Sequence, residues 1–499
     1  MELTVLLCLV IAGINVCMGL RPSYRAAVYE HAVIMPVNIR TVSRSQALVN
    51  MKKNLDIYEE QVRRAAGENV DIIVFPEDGI YGVNFNRDTI KPYLEDIPDP
   101  QSVSWTPCNR TNITQGSEVQ TRLSCMAREH NIYIVANMGD KKPCDSNTDV
   151  SCTDGQYQYN TNVVFDPQGR LVARYHKQNL YFEAQFDTPK IPERVTFQTP
   201  FGKFGVFTCF DILFKTPAVD LIDELGVENV VLPTAWMDSL PLLAAIQFHS
   251  AFAKHFKINL LAANIHFPLF NFHGSGIYSP KRTESYYYND GLFSGGKLLI
   301  ADVKCNPRQH RRHFNVISNT DPIQLFSLSR QMMMAGWIHM MNNQDNFQYI
   351  PLTQAKAKVK VCQGEVCCYL DYQKLNGTEE LYALGVFDGI HQIDGLQWYT
   401  QVCVMLKCES TDISSCGRPT KEANGHFNYI KLWGTFTTPY VFPQILVSHR
   451  GQLRLEHEHW KYRQNRIEFV NRGREKPLLS ASLYGRNYDR DHSSPSEQD

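Results

Sequence analysis

An excess of charge of either sign is what this 499-residue chain lacks: 50 Lys and Arg stand against 51 Asp and Glu, leaving −1 at pH 7. Without a basic surplus there is no electrostatic footprint for nucleic acid, and no such partner is expected. The apolar segment Leu3-Thr4-Val5-Leu6-Leu7-Cys8-Leu9-Val10-Ile11-Ala12 is too short to span a bilayer, and the small residues Cys17 and Gly19 follow at signal-cleavage spacing. Residues 1–19 therefore read as a signal peptide, although Glu2 stands where a basic start is usual. After Arg486-Asn487-Tyr488-Asp489-Arg490-Asp491 the chain has no hydrophobic tail, so no lipid anchor is expected and the protein reads as secreted and extracellular. Paired Cys-x-x-Cys knuckles are absent from Cys362, Cys367, Cys368, Cys403, Cys408 and Cys416, which favours disulfides over zinc. Neither a metal nor a cofactor is expected.

Cysteine itself is plentiful, 14 in all, of which Cys8 and Cys17 would leave with the signal. An exported chain meets an oxidising compartment. The triplets that begin at Asn109, Asn112 and Asn376 are glycosylation acceptors and agree with export. If Cys209 is kept as a thiol, 11 cysteines of the mature chain remain, and an odd number requires at least one more to stay unpaired or to bond between chains. Cys125, in the helix-like stretch from Val119 to Ala127, is the candidate for a buried inert thiol.

From about residue 24 to 305 strand-like and helix-like periodicities alternate. Ala26–His31, Asp71–Phe75, Ile132–Ala136, Thr161–Phe165, Leu171–Tyr175, 195–198, 204–208, Val230–Leu232, Ile258–Ala263 and Lys297–Ala301 read as strands. Helices are predicted over 45–66, 119–129, 217–225 and 240–256, and Asp166-Pro167-Gln168-Gly169 is a hairpin turn. Such alternation argues for α/β layers. A linker is placed at 306–330, a smaller β-rich, disulfide-supported domain at 331–485, and a polar tail at 486–499.

Three polar residues stand where β-rich runs stop: Glu77 after Asp71–Pro76, Lys177 after Leu171–His176, and Cys209 after Gly205–Thr208. A thiol can attack an amide carbonyl if a base takes its proton and a cation receives the oxyanion. Glu77 and Lys177 suit those tasks, and the backbone N–H of Phe210 would assist if the chain turns into a helix there. Each residue alone reads more readily as a structural one; the three together carry the chemistry. Glu183 is either a second acid near the thiol or an exposed loop residue. Trp236 either walls a pocket or packs in the core. His266 and His273 either line the cleft or are satisfied loop histidines.

The motifs Val74-Phe75-Pro76-Glu77-Asp78-Gly79, His176-Lys177-Gln178-Asn179-Leu180 and Phe207-Thr208-Cys209-Phe210-Asp211 resemble the catalytic motifs of the nitrilase superfamily of carbon–nitrogen hydrolases. The likeness extends through Pro233-Thr234-Ala235-Trp236-Met237 and Gly274-Ser275-Gly276-Ile277, and through Gln363–Tyr369 and Gly385–Gly389 in the second domain, to the biotinidase and vanin (pantetheinase) branch. The resemblance implies an αββα four-layer sandwich over residues 20–305, with Glu77 as base, Lys177 as oxyanion partner and Cys209 as nucleophile. Ile212-Leu213-Phe214-Lys215 replaces the Arg and Phe-Pro-Glu of many superfamily members, so a typical nitrilase pocket is not expected. Asn54–Glu59, Asn179–Ala184, Glu380–Gly385 and Leu483–Arg486 look more like biotinidase, whereas Lys177-Gln178 and Phe248–Phe252 are similar to vanins. The expected activity is thus hydrolysis of a small biotinyl amide such as biocytin. Pantetheine hydrolysis is the alternative, and a non-catalytic vitamin carrier or adhesion protein the alternative of another class. The second domain either braces the first or covers its cleft.

Overall fold

The computed structural model describes residues 22–491 apart from 37–39, 110–115, 306–344, 376, 378, 394, 457–458 and 472–475. The expected signal segment, the linker at 306–330, Asn112 and Asn376 lie outside the described residues.

The chain lays down β1 (Ser23–Glu30), α1 (Arg44–Gly67), β2 (Ile72–Val74), α2 (Arg87–Ile90), α3 (Glu118–His130), β3 (Tyr133–Pro143), β4 (Gln156–Phe165) and β5 (Leu171–His176). It continues through β6 (Val195–Thr199), β7 (Gly202–Val206), α4 (Asp220–Asp223), β8 (Asn229–Thr234), α5 (Ala245–Phe256), β9 (Asn259–Asn264), β10 (Ser275–Tyr278), β11 (Thr283–Tyr287) and β12 (Lys297–Lys304). Two six-stranded sheets result, in the orders β12-β1-β2-β3-β4-β5 and β11-β10-β9-β8-β7-β6.

Period-two alternation explains how they stack. Along β1 and β2, Ala26, Val28, Ile72 and Val74 enter the core shared with Val206, Val231 and Leu261 of the second sheet. Their neighbours Ala27, Ile73 and Phe75 enter a separate core under α1 and α3, with Met51, Leu55 and Leu123. Strands buried on both faces read as continuous apolar runs, as these do. The result is the αββα sandwich, with α1 and α3 outside one sheet and α5 outside the other. Helix α1 begins on a capping box: Ser43 Oγ accepts from the Gln46 amide, and Gln46 Oε1 accepts from the Ser43 amide at 3.0 Å. The turn at Asp166–Gly169 joins β4 to β5 as predicted, with Asp166 Oδ1 accepting from the Gln168 and Arg170 amides.

Two predicted helices are shorter than their apolar patterns. Over 217–225 the backbone passes through a π turn at Lys215–Val219 into the single turn of α4. Over 240–256 the first residues form a turn closed by Ser239 and Leu243, which exchange backbone hydrogen bonds, and α5 begins at Ala245, whose amide donates to Asp238 at 2.7 Å.

The second domain pairs a six-stranded antiparallel sheet with a five-stranded one, and Val386, Cys403 and Leu483 of the first share a core with Cys368, Leu370 and Ile430 of the second. Disulfide Cys368–Cys403 joins the two sheets, while Cys362–Cys367 and Cys408–Cys416 staple local loops. In the first domain the bonds are Cys108–Cys125 and Cys144–Cys152. The expectation for Cys125 is therefore corrected. Its place on α3 puts it beside the short turn holding Cys108, a proximity the linear spacing conceals. The thiol that accompanies Cys209 is Cys305, just after β12 and 2% exposed. These five bonds belong to an oxidising, non-cytosolic setting.

The outer face of α5 is covered by the second domain. Phe442 packs on Phe248, Phe252 and Phe256 at 5.3, 5.7 and 5.9 Å, and His255 Nδ1 meets the Val441 carbonyl at 2.8 Å. The end of the last strand (Leu478–Arg486) makes a second tie. Residues 486–491, expected as tail, are built in: the wholly buried Arg486 donates from Nε to the Leu213 carbonyl at 2.9 Å and pairs with Asp491 at 2.8 Å. Replacing Arg486 with Ala should lower stability by on the order of 3 kcal/mol, read by urea unfolding, because a buried ion pair loses one member. A loss below about 1 kcal/mol would contradict this account of the tie.

Candidate active site

Glu77, Lys177 and Cys209 follow β2, β5 and β7, so the open ends of three strands bring them together. Phe75 anchors the first loop by stacking on Tyr58 at 3.8 Å. Gly79 is required there, since a Cβ would fall 2.0 Å from the Tyr58 hydroxyl. Cys209 begins a 3-10 turn, Cys209–Leu213, with φ +44°, a left-handed conformation unfavourable for a non-glycine residue. Asp211 holds it. Its carboxylate accepts from the Thr208 amide at 3.0 Å, the Tyr175 hydroxyl at 2.7 Å and the Asn179 amide at 2.8 Å. The amides of Cys209 and Phe210 come first in this turn and so have no acceptor within it.

Around the thiol the charges are buried and paired. Lys177 Nζ donates to Glu77 Oε1 at 2.7 Å and to Glu183 Oε2 at 2.5 Å. Glu77 Oε1 also accepts from Asn160 Nδ2 at 2.7 Å, and its Oε2 accepts from the Ala235 amide at 2.8 Å. Asn160 Nδ2 bridges to Glu183 Oε1 at 2.5 Å, and the Tyr181 amide donates to Glu183 Oε2 at 3.0 Å. Burial works against charge on Lys177, but Glu183 and Glu77 outweigh it and hold the ammonium well above the ordinary lysine range. Burial and the Glu77 carboxylate push the Cys209 thiol well above the usual cysteine range, with Lys177 pulling against them. A neutral resting thiol beside a salt-bridged carboxylate results.

Glu183 is not an exposed loop carboxylate: its side chain is 11% exposed and touches Lys177. Trp236 stacks on Phe248, donates from Nε1 to the Leu243 carbonyl at 2.8 Å and is among the residues that line the cleft. Phe210 lines the cleft and packs edge-on against Tyr181 at 4.9 Å and Trp398 at 5.6 Å. His266 and His273 are loop histidines away from the cleft lining. His266 bridges Glu30 at 2.7 Å and Ser294 at 2.9 Å, and His273 packs on Tyr288. Asn109 is exposed, and its side chain accepts from Arg128. Among the described residues one cluster comes within metal-ligand reach, Cys108, Cys125 and Glu129, and its sulfurs are joined in a disulfide.

Several site residues escaped sequence reasoning. Asn160 and Asn162 occupy one face of β4, where Asn137 donates to both at 2.6 and 3.0 Å and Asn162 donates to Thr208 Oγ1 at 2.8 Å. Two asparagines two apart in an apolar strand were the available signal. His391, Ile393 and Trp398 of the second domain also line the cleft. Nothing in the linear sequence connects them to Cys209.

A buried thiol, carboxylate and ammonium gathered at the strand ends of an αββα sandwich define a carbon–nitrogen hydrolase, and residues 39–251 match the carbon–nitrogen hydrolase family. Residues 338–491 match the Vanin C-terminal domain. The chain is 46% identical to pantetheinase of Homo sapiens over 475 residues, covering 95% of this chain and 90% of that one. It is 45% identical to biotinidase of Mus musculus over 496 residues, covering 94% and 93%. The protein belongs to the vanin and biotinidase branch of the carbon–nitrogen hydrolases and is an amide hydrolase of that family.

Beside Lys177, His176 is clamped between Asp140 at 2.8 Å and Glu193 at 2.9 Å. Burial opposes its charge, yet the two carboxylates prevail and raise its pKa above the ordinary value. A raised folded-state pKa contributes stability that is fully present below about pH 6.5 and is lost as pH rises through the folded value. The stability advantage of the parent over His176→Gln should therefore be larger near pH 6 than near pH 9 in urea unfolding. An advantage that grows with pH would refute the clamp.

Proposed function

We propose that Cys209 is the nucleophile, Glu77 the general base and acid, and Lys177 the oxyanion partner in hydrolysis of a linear amide through a thioester. The observation that carries this reading is the set of short contacts linking Glu77, Lys177 and Glu183 beside a buried thiol. Because the resting thiol keeps its proton, Glu77 takes that proton as Sγ bonds to the carbonyl carbon. The oxyanion forms against the Lys177 ammonium and the Phe210 amide. The tetrahedral adduct then expels the amine, which receives the proton from Glu77. Water, deprotonated by Glu77, attacks the thioester, and the acid leaves as the sulfur regains a proton. Glu183 acts as a positioning residue, sharing the Lys177 charge so that Glu77 does not hold it alone.

For the substrate, we propose a biotinyl amide such as biocytin, cleaved to biotin and lysine in a secreted, extracellular setting. Support comes from the aromatic walls of the cleft, Tyr181, Phe182, Phe210, Trp236 and Trp398, which suit an apolar acyl chain. The second reading is pantetheine cleaved to pantothenate and cysteamine, since the 46% identity to a pantetheinase stands level with the 45% identity to a biotinidase. Turnover of the two amides measured side by side decides between them, and comparable rates on neither would remove both.

Cys209→Ala should reduce turnover by at least ~10⁴-fold and abolish the thioester, detected by mass spectrometry of acid-quenched enzyme. Lys177→Met should lower kcat by ~10²–10³-fold through loss of oxyanion stabilisation. Parental rates in Cys209→Ala protein would refute the mechanism.

A further inference from the structure

Resting on the thiol-nucleophile reading above, we propose that Thr234, the last residue of β8, donates its hydroxyl hydrogen to Cys209 Sγ and steadies the negative charge that the sulfur carries as Glu77 takes the thiol proton. Strands β7 and β8 run parallel, with Phe204, Gly205 and Val206 opposite Asn229, Val230 and Val231. Carried on at the same offset, that register sets Cys209 opposite Thr234. Partners in adjoining parallel strands project to the same face from backbones about 4.8 Å apart. The end of β8 is fixed beside the site. The Ala235 amide donates to Glu77 Oε2 at 2.8 Å, while Asn264 accepts from the Trp236 amide at 2.9 Å and donates to the Trp236 carbonyl at 3.0 Å.

Thr234 is wholly buried, and its Oγ1 has no hydrogen-bond partner among the described residues in the resting protein. A hydroxyl so placed costs stability, since a valine of the same shape has no polar atom to satisfy. Its partner arises during the reaction. A neutral thiol is a weak acceptor and an ionised one a strong acceptor, and Thr234 acts on Cys209 in the sense that favours the ionised form. The hydroxyl hydrogen turns about the Cβ–Oγ1 bond to reach the sulfur and stays on its oxygen throughout. Lys177 is held by Glu77 and Glu183 and receives the oxyanion, so the charge on sulfur itself falls to the end of β8. The same bond serves twice: when the thiol loses its proton, and when the thioester breaks and the sulfur leaves with the electron pair.

The test reads the sulfur directly. Thr234→Val removes the donor and keeps the branched shape, whereas Thr234→Ser keeps the donor. Alkylation of Cys209 by iodoacetamide, followed between about pH 7 and pH 10 over a Cys209→Ala background, should slow roughly 10-fold in Thr234→Val, with the pH profile displaced upward. Thr234→Ser should return to within about 3-fold of the parent, and Thr234→Ala, in which nothing crowds the sulfur, should be as slow as the valine variant. On whichever of biocytin and pantetheine the parent cleaves, kcat/KM should fall in parallel. Thr234→Val should nevertheless resist urea at least as well as the parent, because an unmet hydroxyl has gone. An unchanged alkylation profile in the valine and alanine variants, or a serine variant as slow as they are, overturns the assignment of Thr234. So does a valine variant that is less stable than the parent but alkylates at the parental rate, the mark of a packing residue. Alkylation needs no substrate, so a parent that cleaves neither amide yet shows the Thr234 effect overturns the substrate reading and supports this one.

Discussion

One buried ammonium governs the architecture around Cys209. Lys177 lies almost out of solvent between Glu77 and Glu183, and an ion so placed is tolerated only when its partners are close and themselves satisfied. Each carboxylate therefore needs further donors, and they come from distant parts of the chain: the Asn160 amide group from β4, the Ala235 amide just after β8 and the Tyr181 amide after β5. Two sheets must meet in register for all of these to converge. Burial first, and then the Glu77 carboxylate, hold the neighbouring thiol well above the usual cysteine range, with Lys177 pulling against them.

The α/β layering was legible because β1 and β2 bury both faces and so read as unbroken apolar runs, and α1 was legible because Met51, Leu55, Tyr58 and Val62 recur near helical spacing. Glu77, Lys177 and Cys209 were legible as polar interruptions where strands stop. Glu183 was ambiguous, since a carboxylate in a loop looks solvated until Lys177 is placed beside it. Cys125 misled for a similar reason: helical periodicity described its own element and not the turn carrying Cys108. The asparagines of β4 and the cleft residues of the second domain were out of reach, because their roles exist only across strands or domains that sequence distance separates.

The second domain is continuous with the first rather than appended to it. Its strand Val441–His449 covers α5 with Phe442, its hairpin supplies part of the cleft wall, and Arg486 satisfies the carbonyl that ends the nucleophile's turn. A helix face that in a bare four-layer sandwich would meet solvent is apolar here, with Phe248 and Phe252 fully buried. Both alternatives weighed for the domain, brace and cleft cover, describe parts of one contact surface.

The strand ending in Arg486 also bears on the order in which the molecule can mature. It occupies an interior position of its sheet, between strands Leu396–Lys407 and Val441–His449, although it comes after both in the chain. During synthesis the catalytic sandwich is complete some 180 residues before this strand emerges, yet the turn presenting the thiol lacks its final support until then. The carbonyl that ends the nucleophile's turn thus gains its Arg486 donor only when the sheet closes.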